Sequence, residues 1–116
     1  MNKIFNVGLI GCGHIAETYF RAHKYFNNFK IIKCADINHR AAIKCAKENK
    51  IKAVSIKEIV NDKKIKVILN LTIPAAHYSV ANLALRHGKH VYSEKPLAIN
   101  LSDGKKLIKL AKKKKL

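Results

Sequence analysis

The sequence predicts an α/β domain: a doubly wound parallel sheet of about five strands with helices on both faces, ending before a sixth strand. Three observations predict it. Short apolar runs rich in β-branched residues alternate with stretches of helical periodicity. The first apolar run passes directly into a pair of glycines. The chain has 116 residues, of which 48% are hydrophobic, enough for one domain, residues 1–116, with a core of its own.

The elements follow in order. Ile4–Ile10 reads as a buried strand that ends in a tight turn. His14–Phe26 carries Ile15, Tyr19 and Phe26, with small Ala16 and Ala22, at helical spacing. Ile31–Ala35 is the second strand and ends at Asp36. Asn38 is placed to cap a helix running through Asn49, with Ala42, Ile43 and Ala46 as its inner stripe. Ala53-Val54 is a short third strand, and Ser55-x-x-Glu58 has the pattern of a capping box. Val67–Leu71 is the fourth strand. A helix from Ala75 to His87 follows, stopped by Gly88. His90–Ser93 is the fifth strand, and a last helix runs from Leu101 with Leu107, Leu110 and Ala111 inward. A strand is expected after that helix, so the chain reads as cut off within a longer protein.

The chain carries 24 Lys and Arg against 7 Asp and Glu, a net charge of +17. Only Arg21, Arg40 and Arg86 are arginines, and the lysines are spread along the chain. Lys, Ile and Asn share A/T-rich codons, which accounts for much of the basicity. The charge is therefore read as a solvated lysine surface and not as a specific nucleic-acid interface, which would concentrate Arg and stacking aromatics. Cys12, Cys34 and Cys45 form no CxxC pair and match no finger or ribbon spacing, so free thiols, no metal site and a reducing, cytoplasmic setting are expected. No apolar run reaches the length of a membrane span, and the stretch from Met1 to Gly8 lacks the plan of a signal peptide.

The chemistry concentrates in Gly11-Cys12-Gly13-His14-Ile15-Ala16, a G-x-G-x-x-A run between the first strand and the first helix. The first glycine makes the turn, the second admits a pyrophosphate to the backbone, and Ala16 lets helix and strand pack closely. The helix N-terminus adds partial positive charge. Asp36 closes the second strand, where an acid binds the adenosine ribose hydroxyls. Together these features predict dinucleotide binding, with NAD favoured and NADP as the alternative, because a carboxylate repels a 2′-phosphate. Arg40, four residues on, either softens that preference or is a plain exposed helix residue. Cys12 reads as a small filler in the loop, and His14 as a neighbour of the nicotinamide side.

The run Gly88-Lys89-His90-Val91-Tyr92-Ser93-Glu94-Lys95-Pro96-Leu97 places Glu-Lys-Pro at the carboxyl end of the fifth strand. With the glycine loop, Asp36, Asn70-Leu71-Thr72 and His77, it resembles the N-terminal Rossmann domain of the glucose–fructose oxidoreductase / inositol dehydrogenase (Gfo/Idh/MocA) family over nearly the whole chain. The resemblance implies cofactor contacts from Gly11, Cys12, Gly13, His14, Ile15, Ala16, Asp36, Arg40, Thr72, His77 and Glu94. It implies Lys95 as a catalytic residue near nicotinamide and substrate. It also implies a second domain, absent here, that holds a sugar, polyol or related hydroxyl substrate, supplies an acid/base histidine and often forms a homo-oligomer interface. One departure stands out: Pro74 occupies the position where the family commonly has Asn. His77 keeps its spacing and reads either as a cofactor neighbour or as an ordinary first-turn helix residue. The expected function is the cofactor half of an NAD(P)-dependent oxidoreductase, inactive by itself; a stand-alone nucleotide-binding module without turnover is the alternative.

Overall fold

Alternation along the strands sets the layers. Residues 3–116 are described by a computed structural model of the chain; Met1 and Asn2, the first two residues of the stretch tested as a signal peptide, lie outside them. The strands β1 (Phe5–Ile10), β2 (Phe29–Ala35), β3 (Lys52–Ala53), β4 (Val67–Asn70) and β5 (His90–Ser93) form one parallel sheet in the order β3-β2-β1-β4-β5. The connecting helices are α1 (His14–His23), α2 (His39–Asn49), α3 (Ile56–Asn61) and α4 (Pro74–Arg86), with α5 (Leu101–Lys114) last. In β1, Val7 and Leu9 face one way, and join Ile31, Cys34 and Leu69 beneath Ala16 and Phe20 of α1 and Cys45 and Ala46 of α2. Ile10 faces the other way, with Ala35 and Ile68, beneath Ile59 and Val60 of α3 and Val80 and Ala84 of α4. Leu107 of α5 closes on Ala81 and Leu85 of α4. This is the doubly wound parallel sheet that the sequence predicts.

Several elements differ from the expectation. α1 stops at His23, and Phe26 lies exposed beyond it, near Phe29 at the start of β2. Its buried stripe is Ala16 and Phe20, one helical step from Ile15, which is exposed. In α2 the inward stripe is Ala42, Cys45 and Ala46, and Ile43 is 50% exposed. Small side chains let that helix approach the sheet, whereas hydrophobicity alone favours Ile43. The third strand is Lys52–Ala53, one residue earlier than expected, and α4 starts one residue earlier, with Pro74 in its first turn. Gly88 follows α4 with a positive φ of 76°, as a helix stop requires.

The capping expectations hold in part. Ser55 Oγ accepts the Glu58 N–H at 3.0 Å, but the Glu58 carboxylate turns to Lys33 Nζ at 3.3 Å, so the reciprocal half of the box is not made. Asn38 occupies the N-cap of α2 without a side-chain cap; its own N–H donates to Asp36 Oδ1 at 2.8 Å. Not every lysine is a solvated surface group. Lys89 is 7% exposed, and its ammonium donates to the carbonyl oxygens of Asp62 and Ile65 at 2.5 and 2.7 Å. Its burial pushes the amine below the ordinary lysine range. Lys33 Nζ lies 2.8 Å from Asp62 Oδ2, and that hydrogen bond holds the Asp62 carboxyl below the usual carboxylate range.

Candidate functional site

Because the strands are parallel, all their carboxyl ends open on one edge of the sheet. Gly11 leaves β1 there, Asp36 leaves β2, Leu71 and Thr72 leave β4, and Glu94 and Lys95 leave β5. β1 and β4 are neighbours although α1, β2, α2, β3 and α3 separate them in the chain, so the order of connection reverses between them. Such a switch point leaves a crevice at the strand ends.

The turn out of β1 is built by backbone constraints. The Gly11 N–H donates to the Ala35 carbonyl at 2.9 Å, and Leu71 N–H donates to the Ile10 carbonyl at 2.8 Å. Gly11 has φ +104°, and a Cβ there would lie 2.4 Å from the Leu71 carbonyl carbon and oxygen. Only glycine fits. Gly13 is different: a Cβ there would meet no heavy atom within 4 Å. Gly13 is the N-cap of α1 and offers no side chain to its first turn. That turn has no side-chain cap, and the space beside the Gly13 Cα is open. Ala16 is buried and lets α1 sit closely against Val7 and Leu9.

Asp36 is tied to this loop. Its Oδ2 accepts the Cys12 N–H at 2.7 Å while Oδ1 accepts the Asn38 N–H. His14 and Ile15 are exposed at the start of α1, and Arg40 is exposed in the first turn of α2. These positions, with Asp36, border the same edge.

A second network braces the β4 and β5 ends. Asn70, fully buried, donates from Nδ2 to the His77 carbonyl at 2.9 Å and to Ser93 Oγ at 3.4 Å. Its Oδ1 accepts the Thr72 hydroxyl at 2.7 Å. His77 is 1% exposed; one ring nitrogen meets the Thr72 carbonyl at 2.7 Å and the other meets the Pro96 carbonyl. The buried His77 ring thus lies between the end of β4 and the Glu94-Lys95-Pro96 turn. The Lys95–Pro96 peptide is cis. Glu94 Oε2 accepts the Tyr19 hydroxyl at 2.7 Å, which fastens the same turn to α1. Burial, reinforced by that carboxylate, pushes the Tyr19 phenol above its ordinary range. Lys95 is exposed at the edge.

A glycine loop that needs one glycine for itself and leaves space above the other suits a dinucleotide, as does an acid fixed at the end of β2. The model of the Gfo/Idh/MocA oxidoreductases, described as an oxidoreductase family with an NAD-binding Rossmann fold, matches residues 5–116. The chain belongs to this family. NAD is the cofactor of its Rossmann fold. An uncharacterized oxidoreductase of Escherichia coli, YdgJ, is 32% identical over 97% of this chain and 32% of its own length. An inositol 2-dehydrogenase/D-chiro-inositol 3-dehydrogenase of Lactiplantibacillus plantarum is 28% identical over 95% of this chain and 33% of its own length. Among solved structures, biliverdin reductase of Synechocystis, in complex with biliverdin and NADP+, superimposes with a TM-score of 0.88 at 30% identity, covering 95% of this chain and 35% of that one. The chain thus spans about a third of the length of the relatives it matches.

Sequence reasoning names Gly11–Ala16, Asp36, Arg40, Thr72, His77, Glu94 and Lys95; the structure gathers them at one end of the sheet, with Ala16 and His77 buried. It passes over Tyr19 and Ser93 as site residues. Tyr19 sits one turn after Ile15 in α1, and nothing in its spacing announces a partner 75 residues away.

Proposed function

We propose that residues 1–116 are the cofactor-binding domain of an NAD(P)-dependent oxidoreductase that moves hydride between nicotinamide and a hydroxyl-bearing carbon of a sugar, polyol or related substrate. The observation that carries this reading is the sharing of one sheet edge by the open Gly13 turn, Asp36 and Lys95. The N–H groups of Gly13, His14 and Ile15 receive the pyrophosphate, helped by the α1 dipole. Asp36 takes the adenosine ribose hydroxyls, with Arg40 beside it. Thr72, Glu94 and the exposed His14 and Ile15 border the remaining length of the crevice. Bound NAD supplies the hydride acceptor. Lys95 holds the reacting oxygen through its ammonium, which stabilises negative charge as it develops there.

The relatives support the substrate class by their names, inositol dehydrogenases among them. They are about three times as long, which supports a reading in which substrate-holding residues, the proton acceptor and any homo-oligomer interface lie outside residues 1–116. Free Cys12, Cys34 and Cys45 support a reducing setting, the cytoplasm. Among the described residues no helix is long and apolar enough to cross a membrane.

Calorimetry of the 116-residue chain with NAD, paired with an assay of NADH formation on inositol and other polyols, tests the reading. Saturable NAD binding without turnover is expected. Turnover by this segment would place the whole catalytic set within it, and absence of NAD binding would remove the cofactor role.

A further inference from the structure

Cys12, Cys34 and Cys45 are far apart in sequence and come from the loop after β1, the end of β2 and the middle of α2. The fold gathers them: their Sγ atoms all lie within 4.8 Å of one another. Cys34 and Cys45 are buried, Cys12 is half-buried, and all three are free thiols. The cofactor reading uses only the backbone of Cys12. Its sulfur packs towards the Ala35 carbonyl at 3.6 Å, and Cys34 Sγ lies 3.5 Å from the Ala42 carbonyl. A cavity of about 530 Å3 between α1 and α2 reaches the cluster, with Cys12 and Cys45 in its wall beside Arg21, Lys24 and Lys44.

We propose that Cys12, Cys34 and Cys45 form a three-thiolate site for one soft, thiophilic metal cation. The donor set decides the class of ion. Sulfur alone suits soft or borderline metals, whereas calcium and magnesium require oxygen ligands. A trigonal ion with metal–sulfur bonds of about 2.3 Å sets its sulfurs about 4 Å apart. The cluster needs only a small contraction to reach that spacing. Binding of a divalent ion breaks three S–H bonds, forms three metal–sulfur bonds and releases three protons to solvent, with no change of oxidation state. The product carries one negative charge; the cavity lining sets Arg21, Lys24 and Lys44 against Glu17 and Glu48, with Arg21 paired to Glu17, which leaves a positive excess to offset it.

The test uses the 116-residue chain, kept reduced with a phosphine and titrated with cadmium(II). An ultraviolet sulfur-to-cadmium charge-transfer band should grow and saturate at one ion per chain, as all three thiols lose reactivity towards an aromatic disulfide. Cys12→Ser, Cys34→Ser and Cys45→Ser are compared, counting those whose far-ultraviolet circular dichroism matches the parent. Each should bind cadmium at least about 100-fold more weakly, since losing a ligand costs no less than losing a group that orients one. Cys12 is half-buried and lies at the margin of the core, so serine there disturbs the packing least. A missing band, one ion shared by two chains, or a folded Cys45→Ser protein with parental affinity overturns the proposal.

Discussion

The backbone N–H of Cys12 donates to Oδ2 of Asp36 at 2.7 Å, tying the loop after β1 to the end of β2. The other oxygen of the same carboxylate accepts the Asn38 N–H at 2.8 Å. The acid that the cofactor reading assigns to the ribose is therefore also a strut of the phosphate-binding loop. It is set in place by two backbone groups before any ligand arrives, which lowers the ordering cost of binding.

Replacing Asp36 by alanine should weaken NAD binding about 10- to 100-fold, the range for losing a hydrogen bond to a charged group. The gap between NAD and NADP should narrow, because the charge that repels a 2′-phosphate is gone. Calorimetry with both dinucleotides measures each change. A parent protein that binds NADP more tightly than NAD contradicts the role given to Asp36.

The two loop glycines should separate stability from binding. Gly11→Ala forces a side chain into a left-handed conformation and against the Leu71 carbonyl. A loss of about 3 kcal/mol or more in urea unfolding is expected. Gly13→Ala meets no protein atom, so its unfolding free energy should stay within about 1 kcal/mol of the parent. Its methyl group enters the space assigned to the pyrophosphate, and NAD affinity should fall. Equal NAD affinity in Gly13→Ala and the parent would show that the dinucleotide does not pass over Gly13.

Tyr19 and Glu94 predict a pH-dependent clasp. The Tyr19 phenol is pushed above its ordinary value of 10.0, first by burial and then by Glu94. A raised folded pKa means the stabilisation is complete below pH 10.0 and disappears as the pH rises through the folded value. Tyr19→Phe should cost about 1 kcal/mol at neutral pH. The difference in urea midpoint between parent and variant should hold constant up to about pH 10 and then shrink. A difference that grows with alkalinity would reverse the sign argued here.

What the sequence makes legible is what depends on period and chain order. Alternating strand and helix patterns with right-handed crossovers give the sheet, and the glycine pair falls where β1 ends. Asp36 and Lys95 are readable because strand ends share an edge in any parallel sheet. Side-chain direction within a helix is less legible. Ile43 outranks Cys45 in hydrophobicity, yet Cys45 fits the close approach of α2. His77 has the spacing of a first-turn helix residue, and nothing in that spacing shows that its ring is buried between Thr72 and Pro96. The thiol cluster has no sequence signal at all, since its members come from separate elements that meet only after the sheet forms. Lys89 hides its charge because a long aliphatic stem carries the ammonium to two carbonyls.

Nucleic acid should bind this chain only through charge. The net +17 attracts phosphate, but three arginines and few aromatics offer little base readout. Binding to mixed DNA should be sequence-independent and should fall by orders of magnitude as salt rises to physiological levels. A sequence-selective complex of sub-micromolar affinity that survives such salt contradicts the solvated-surface reading.

Lys95 offers the sharpest separation of binding from chemistry. It leaves β5 at the edge where β4 and β5 carry Thr72 and Glu94, and its turn is held from both sides. Tyr19 grips Glu94, and the buried ring of His77 meets the Pro96 carbonyl. The backbone on either side of Lys95 is thus fixed, while its own side chain is exposed. A group held this way stabilises charge that develops in the transition state and adds little to ground-state affinity for the cofactor. In the longer chain proposed above, Lys95→Ala should lower kcat by about two or more orders of magnitude, the usual loss for one such donor. Its Kd for NAD should stay near the parental value. His77→Ala should behave differently, loosening the turn and lowering thermal stability together with activity. If Lys95→Ala keeps parental turnover, Lys95 is only an exposed strand-end lysine; if NAD affinity falls as steeply as turnover, its role is in holding cofactor rather than the reacting oxygen.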